Sequence, residues 1–179
     1  YGAINPIEFN KNKSNNTSLI LIGGPSKHYK WNDNMIVDQI KQITSFSSNI
    51  NWIIADSPRT PETMLSRITG LSNVSVLSYK MTSSDKIREI IFKTGNIWVS
   101  KDSISMIYES LSSGAAVGLL DVEENKTNKI SQGVNDLINK KQLTSFKTWK
   151  ITTELLIPSI RFNEADRCAA LLKEKGLLT

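Results

Sequence analysis

The 179-residue chain contains one cysteine, Cys168, and one histidine, His28. A lone cysteine excludes an internal disulfide, and one cysteine with one histidine cannot make a structural zinc site. No run of about 18 apolar residues occurs, so no membrane-spanning helix is expected. No secretory leader is visible. The chain also lacks the loops that mark the common nucleotide cofactors. There is no GxxxxGKS or GxxxxGKT, which excludes a P-loop, and no GxGxxG, which argues against a nicotinamide or flavin site. The first residues are Tyr1-Gly2-Ala3 rather than methionine, and the expectation is that the chain is part of something longer.

Charge of one sign is scarce in any block. The net charge is +5, but the lysines are scattered. The densest group is Lys126, Lys129, Lys140, Lys141, Lys147 and Lys150. Without interleaved aromatics, this region reads as a solvated face rather than a nucleic-acid surface. The site is expected to need no metal, and the chain is expected to be cytoplasmic or peripheral at a membrane.

What is present is an alternation of apolar runs and amphipathic stretches. Leu19 to Ile22 is a continuous apolar run closed by Gly23-Gly24-Pro25, which reads as a buried parallel strand. The preceding Asn10 to Ser18 is rich in Asn, Lys and Ser and reads as a linker. A helix is expected from about Asp33 to Phe46, with Ile36, Ile40 and Ile43 inward. Ile50 to Ala55 follows as a strand. Thr60 as N-cap, with Pro61 and Glu62 behind it, marks a helix that buries Met64, Leu65, Ile68 and Leu71. Val74 to Leu77 is a strand and Asp85 to Lys93 a helix. Later, Ile130 to Lys140 reads as a helix, Gln142 to Pro158 is ambiguous, and Asn163 opens a helix expected to turn Cys168, Leu171 and Leu172 inward.

The stretch Trp98 to Gly114 is the centre of this pattern. Ile97-Trp98-Val99 is β-prone, and Asp102 or Ser103 can cap the helix that follows. Ile104, Ile107, Tyr108 and Leu111 form one buried stripe, and Gly114 suits the left-handed position at the helix end. Asp102, Ser105, Glu109 and Ser112 share another face. Ala115 to Leu120 is then a fifth strand.

Repeated strand–helix units predict an α/β fold: a three-layer, Rossmann-like parallel sheet of five or six strands with helices on both faces. In the common strand order 3-2-1-4-5, strands one and four meet at the switch point, where ligands bind beyond the carboxyl ends. The loops Gly23 to Lys27 and Ser100 to Ser103 emerge there, and Ser57 to Thr60 lies beside them. Gly23 and Gly24 would let backbone N–H groups approach an anion. Lys27 or Arg59 would neutralise a diphosphate, or Arg59 would merely pair with an acid such as Asp56. Ser103 and Ser105 would bind phosphate at the helix start, and Glu109 would accept from both ribose hydroxyls.

Three blocks carry a resemblance: Gly23-Gly24-Pro25-Ser26-Lys27, Asp56-Ser57-Pro58-Arg59-Thr60-Pro61, and Ser100 to Met106 with Glu109 and Gly114. Together they resemble the "elongated mitochondria" mitochondrial-fission family and its bacterial relatives. The resemblance implies the C-terminal, donor-binding half of a GT-B-like glycosyltransferase, with residues 1–18 a linker from an N-terminal half and 19–179 the nucleotide-sugar-binding domain. It implies a ligand-binding set of Gly23, Gly24, Ser26, Lys27, Ser57, Arg59, Thr60, Lys101, Asp102, Ser103, Ser105, Met106 and Glu109. The implied ligand is a nucleoside diphosphate sugar, and an enzyme of this kind would be metal-independent and need the N-terminal half. Ala116 departs from the proline usual before valine. The epimerase label often given to the bacterial relatives finds no YxxxK pair here. The alternative is a non-enzymatic adaptor that recruits a membrane-fission protein.

Overall fold

The computed structural model describes residues 3–46, 49–126, 129–158 and 161–177. In chain order the elements are β1 (Ser14–Leu21), β2 (Tyr29–Lys30), α1 (Asp33–Phe46), β3 (Asn51–Ala55), α2 (Glu62–Leu65), β4 (Val74–Leu77), α3 (Ser84–Lys93), β5 (Thr94–Ser100), α4 (Ile104–Ser112), β6 (Ala116–Leu120), β7 (Glu123–Glu124), α5 (Lys129–Asn139), β8 (Thr144–Ser145), α6 (Phe146–Thr152) and α7 (Glu164–Glu174). The main sheet has six strands in the order β4-β3-β1-β5-β6-β8, and every neighbouring pair is parallel. This is the expected 3-2-1-4-5 order with a short sixth strand added. β2 and β7 form a separate antiparallel pair.

The apolar runs become strands covered on both faces. Successive side chains point to opposite sides, so each run feeds two cores. Ile20, Ile22, Ile54, Trp98 and Leu120 face α1 and α6, against Ile36, Ile40, Ile43, Phe146 and Trp149. Leu19, Leu21, Ile97, Val99, Val117 and Leu119 face the other layer, against Ile91, Ile107, Tyr108, Leu111, Val134 and Leu137. Each such side chain contributes about 1.5–3 kcal/mol by leaving water. Gly114 ends α4 at φ +84°, as its position suggested.

Three local expectations are corrected, and one stretch left open is resolved. β1 begins at Ser14, inside the stretch expected to be a linker, because Ser14 pairs with Thr94 of β5 across a bulge before Ser18. Sheet hydrogen bonding needs no apolar side chain, so polar residues extend the strand toward solvent. Thr60 does not cap α2; Pro61 takes the N-cap position with no side-chain bond, and the helix proper lasts only four residues. Met64 and Ile68 are nevertheless fully buried. Leu171 and Leu172 of α7 are each 40% exposed rather than inward, although Asn163 caps the helix as expected by accepting the Asp166 N–H at 3.0 Å. The ambiguous stretch 142–158 supplies β8 and α6, and Trp149 packs into the α1-side core. Among the described residues, no helix is long and apolar enough to cross a membrane.

Candidate functional site

The parallel order brings three loops together beyond the carboxyl ends of β1, β3 and β5. Their contact is a dense hydrogen-bond network. The Gly23 N–H donates to Ser100 Oγ at 2.8 Å, and the Gly24 N–H donates to Asp102 Oδ2 at 3.1 Å. Arg59 Nη1 lies 2.8 Å from the same Asp102 oxygen and donates to the Gly24 carbonyl at 2.9 Å. Its Nη2 donates to Ser103 Oγ at 3.0 Å. Below them, Ser57 Oγ donates to the Gly23 carbonyl at 3.1 Å, and Thr60 Oγ1 approaches that carbonyl to 2.6 Å. A Cβ on Gly23 would run into Asp102 Oδ2 and Ser103 Oγ, and one on Gly24 into the Arg59 carbonyl. The glycines are therefore required by close packing of loop on loop.

This geometry revises several roles. The N–H groups of Gly23 and Gly24 are taken by Ser100 and Asp102, so they are not presented to an anion. Asp102 caps nothing; its buried side chain anchors Gly24 and Arg59, and its Oδ1 has no partner among the described residues. Ser57 and Thr60 hold the Gly23 turn. Lys101 turns away to Glu124, 2.7 Å off, and to Asn135 Oδ1, 3.2 Å off. Ser26 is half-buried and Lys27 exposed; the Lys27 carbonyl accepts from Asn125 Nδ2 at 3.0 Å. Arg59 pairs with an acid, but with Asp102 rather than Asp56, whose carboxylate accepts the Tyr79 N–H instead.

Two features leave room for a ligand. The first is the start of α4. Ser103 occupies the N-cap position yet makes no capping bond, because its hydroxyl is turned to Arg59. The first-turn N–H groups thus lack the side-chain acceptor that usually satisfies them. Ser105 stands exposed in that turn, and the Arg59 side chain, 41% exposed, reaches the helix start through Ser103 Oγ. A helix start and a guanidinium together favour an anion.

The second is a cavity of about 330 Å³ next to it, walled by Leu21, Pro58, Leu77, Tyr79, Ile87 and Met106. Asp56, Arg88 and Glu109 bring charge to its lining. Burial raises the Glu109 carboxyl above its ordinary pKa, and Arg88 partly offsets this. Glu109 lies four residues beyond Ser105, about one helical turn or 6 Å along the axis. Tyr79, Ile87 and Arg88 were not legible as site residues, since they lie on the β4–α3 connection and α3, away from the polar loops. The one available signal was that β4 lies beside β3, so its following loop must reach the same edge.

A parallel doubly wound sheet whose carboxyl edge holds an uncapped helix start and an adjoining cavity is a Rossmann-like α/β domain. The family profile described as mitochondrial fission ELM1 matches residues 2–175, and the chain belongs to that family. No curated protein matches the chain in sequence. Among solved structures, the chain is similar to a UDP-GlcNAc 2-epimerase from Methanocaldococcus jannaschii, determined in complex with UDP-GlcNAc and UDP, at TM-score 0.60 and 12% identity, over 89% of this chain and 46% of that one. It is likewise similar to a putative UDP-N-acetylglucosamine 2-epimerase from Listeria monocytogenes, at TM-score 0.57 and 12% identity, over 90% and 46%. The chain thus spans about half the length of these structures, and the likeness is one of fold.

Proposed function

We propose that this domain binds a nucleoside diphosphate sugar, as the donor half of a GT-B-like glycosyltransferase-type protein. The observation that carries the reading is the uncapped start of α4 at the mouth of the Glu109 cavity. The diphosphate sits on the first-turn N–H groups and Ser105, with Arg59 alongside. The ribose places its two hydroxyls on the Glu109 carboxylate, and the base lies against Tyr79, Ile87 and Met106. Arg59 and the helix dipole stabilise charge that develops on a departing diphosphate. The second domain would supply the acceptor and any base, so this chain alone binds without turnover. The open cavity supports this reading over an adaptor, whose surface would need no such space.

The test is a thermal-shift screen against UDP, GDP, ADP, CDP and their sugar conjugates. A ligand that binds only the native state stabilises it by about 2.7 kcal/mol at a hundred times its Kd. One diphosphate is expected to raise Tm in wild type and not in Glu109→Ala. No shift with any of them, in this domain and in the full-length protein, overturns the proposal and favours the adaptor.

A further inference from the structure

One charged side chain of the Glu109 cavity keeps most of its hydrogen-bonding capacity unspent. Arg88 lies on α3, directly after Ile87 and four residues beyond Ser84, and all three line the cavity. Residues four apart share a helix face, so Ser84 and Arg88 form a polar strip along the α3 wall. Arg88 Nη1 donates to Asp85 Oδ1 at 2.9 Å, and this is the one hydrogen bond of the guanidinium among the described residues. The Asp85 side chain is 89% exposed and that of Arg88 41%. A surface pair of this kind yields readily to another partner. Most of the five N–H donors of the fork are therefore free.

The other polar groups of the cavity are committed or adaptable. Asp56 is buried and accepts the Tyr79 N–H. Glu109, on the α4 wall, takes the ribose in the reading above. The hydroxyls of Thr82 and Ser84 can donate or accept, so they suit either kind of base edge. Arg88 is one-sided: it donates, never accepts, and always carries a positive charge. Its charge reaches Glu109 across the cavity, since it partly offsets the effect of burial on that carboxyl. With the sugar held on α4, the edge of the base that meets α3 is the one away from the sugar.

We propose, resting on the nucleoside diphosphate reading of this cavity, that Arg88 selects the base: the site takes bases with a carbonyl at the edge away from the sugar, C4 of a pyrimidine or C6 of a purine, over bases with an amino group there. A carbonyl oxygen accepts from the fork in a charge-assisted bond. An amino group turns N–H toward N–H, and neither donor then has an acceptor. The ring itself lies against Tyr79, whose side chain is partly exposed, and Ile87, so stacking does not tell the two kinds of base apart.

The test is calorimetry on the chain with two matched pairs, UDP against CDP and IDP against ADP. The members of each pair differ only in a carbonyl or an amino group at C4 or C6. In the ring class that fits, the carbonyl member is expected to bind about tenfold more tightly or better. Arg88→Met keeps an unbranched, helix-forming side chain without donors, and is expected to bring the ratio to about one, chiefly by weakening the carbonyl member. Asp85→Ala, which frees Nη1 and lines no part of the cavity, is expected to keep the preference. Equal affinity within both pairs, a preference for the amino member, or a carbonyl preference that survives in Arg88→Met overturns the proposal. Where Glu109→Ala still abolishes that binding, the choice of base falls and the nucleotide reading stands. Absence of binding by all four nucleotides takes both down together.

Discussion

Arg59 Nη1 stands 2.8 Å from Asp102 Oδ2, and the partners sit in unequal surroundings: the Asp102 side chain is 0% exposed and that of Arg59 41%. Removing either partner is therefore not symmetrical. In Arg59→Ala the buried carboxylate keeps the Gly24 N–H but loses its countercharge. In Asp102→Asn the charge is gone, Gly24 still finds an oxygen, and the guanidinium turns to water. Breaking a buried pair costs about 3–5 kcal/mol when a charge is left behind; access to solvent on the Arg59 side brings the expected cost of Arg59→Ala to the lower end or below. Urea unfolding should show a lower midpoint for Arg59→Ala than for Asp102→Asn. The reverse order would mean that the carboxylate is not the buried end of the pair in solution.

Gly24 tests the close approach of the loops. A Cβ there meets the Arg59 carbonyl, which is backbone and cannot swing away as a side chain would. Gly24→Ala is expected to destabilise by about 1–3 kcal/mol as an overpacked position, and to displace Arg59 from Asp102. The checks are Tm and the affinity for the nucleotide found in the screen, both of which should fall.

Glu109 separates binding from stability. The folded state holds its carboxyl at a raised pKa, because burial opposes the charge. The folded chain therefore binds this proton more tightly than the unfolded one. The resulting contribution favours folding at low pH and is lost as pH rises through and above the ordinary value of 4.5. Glu109→Gln removes the charge and should be more stable than wild type at pH 7, with the gap closing as pH falls toward 4.5. Parallel thermal melts across that range check the sign.

The same substitution should weaken the ligand. A hydrogen bond to a charged acceptor is worth about 1.5–3 kcal/mol, on the order of tenfold to a hundredfold in Kd. Calorimetry with the selected nucleoside diphosphate should show that loss in Glu109→Gln despite its unimpaired fold. Unchanged affinity would remove Glu109 from the ribose site.

In the sheet, Gly118 of β6 lies at the same register as Trp98 of β5. A Cβ on Gly118 would stand 2.6 Å from Trp98 Cε3. Gly118→Ala should cost about 1–3 kcal/mol. Because Trp98 also meets Trp149 edge to face, a change in near-UV circular dichroism should accompany the drop in Tm.

Several levels of this protein were already determined by residue order. Leu19 to Ile22, Ile97 to Val99 and Ala116 to Leu120 are continuous apolar runs, and only a strand covered on both faces uses them fully. Their alternation with amphipathic stretches implied the parallel order, and so the edge where Gly23, Arg59 and Ser103 meet. The helix bounds at Asp33 and Phe46 and the turn at Gly114 were legible for the same local reason: the periodicity and backbone preference act within a few residues. Only the tertiary structure decided which partner each polar group takes. Asp102, Ser103 and Thr60 are all good local caps, yet each is drawn to a group more than thirty residues away: Gly24, Arg59 and the Gly23 carbonyl. A cap and a cross-loop bond compete for the same oxygen at similar energy, and the rigid packing of three strands beneath the loops settles the choice. Tyr79 and Arg88 joined the cavity through strand register alone, which no local pattern encodes.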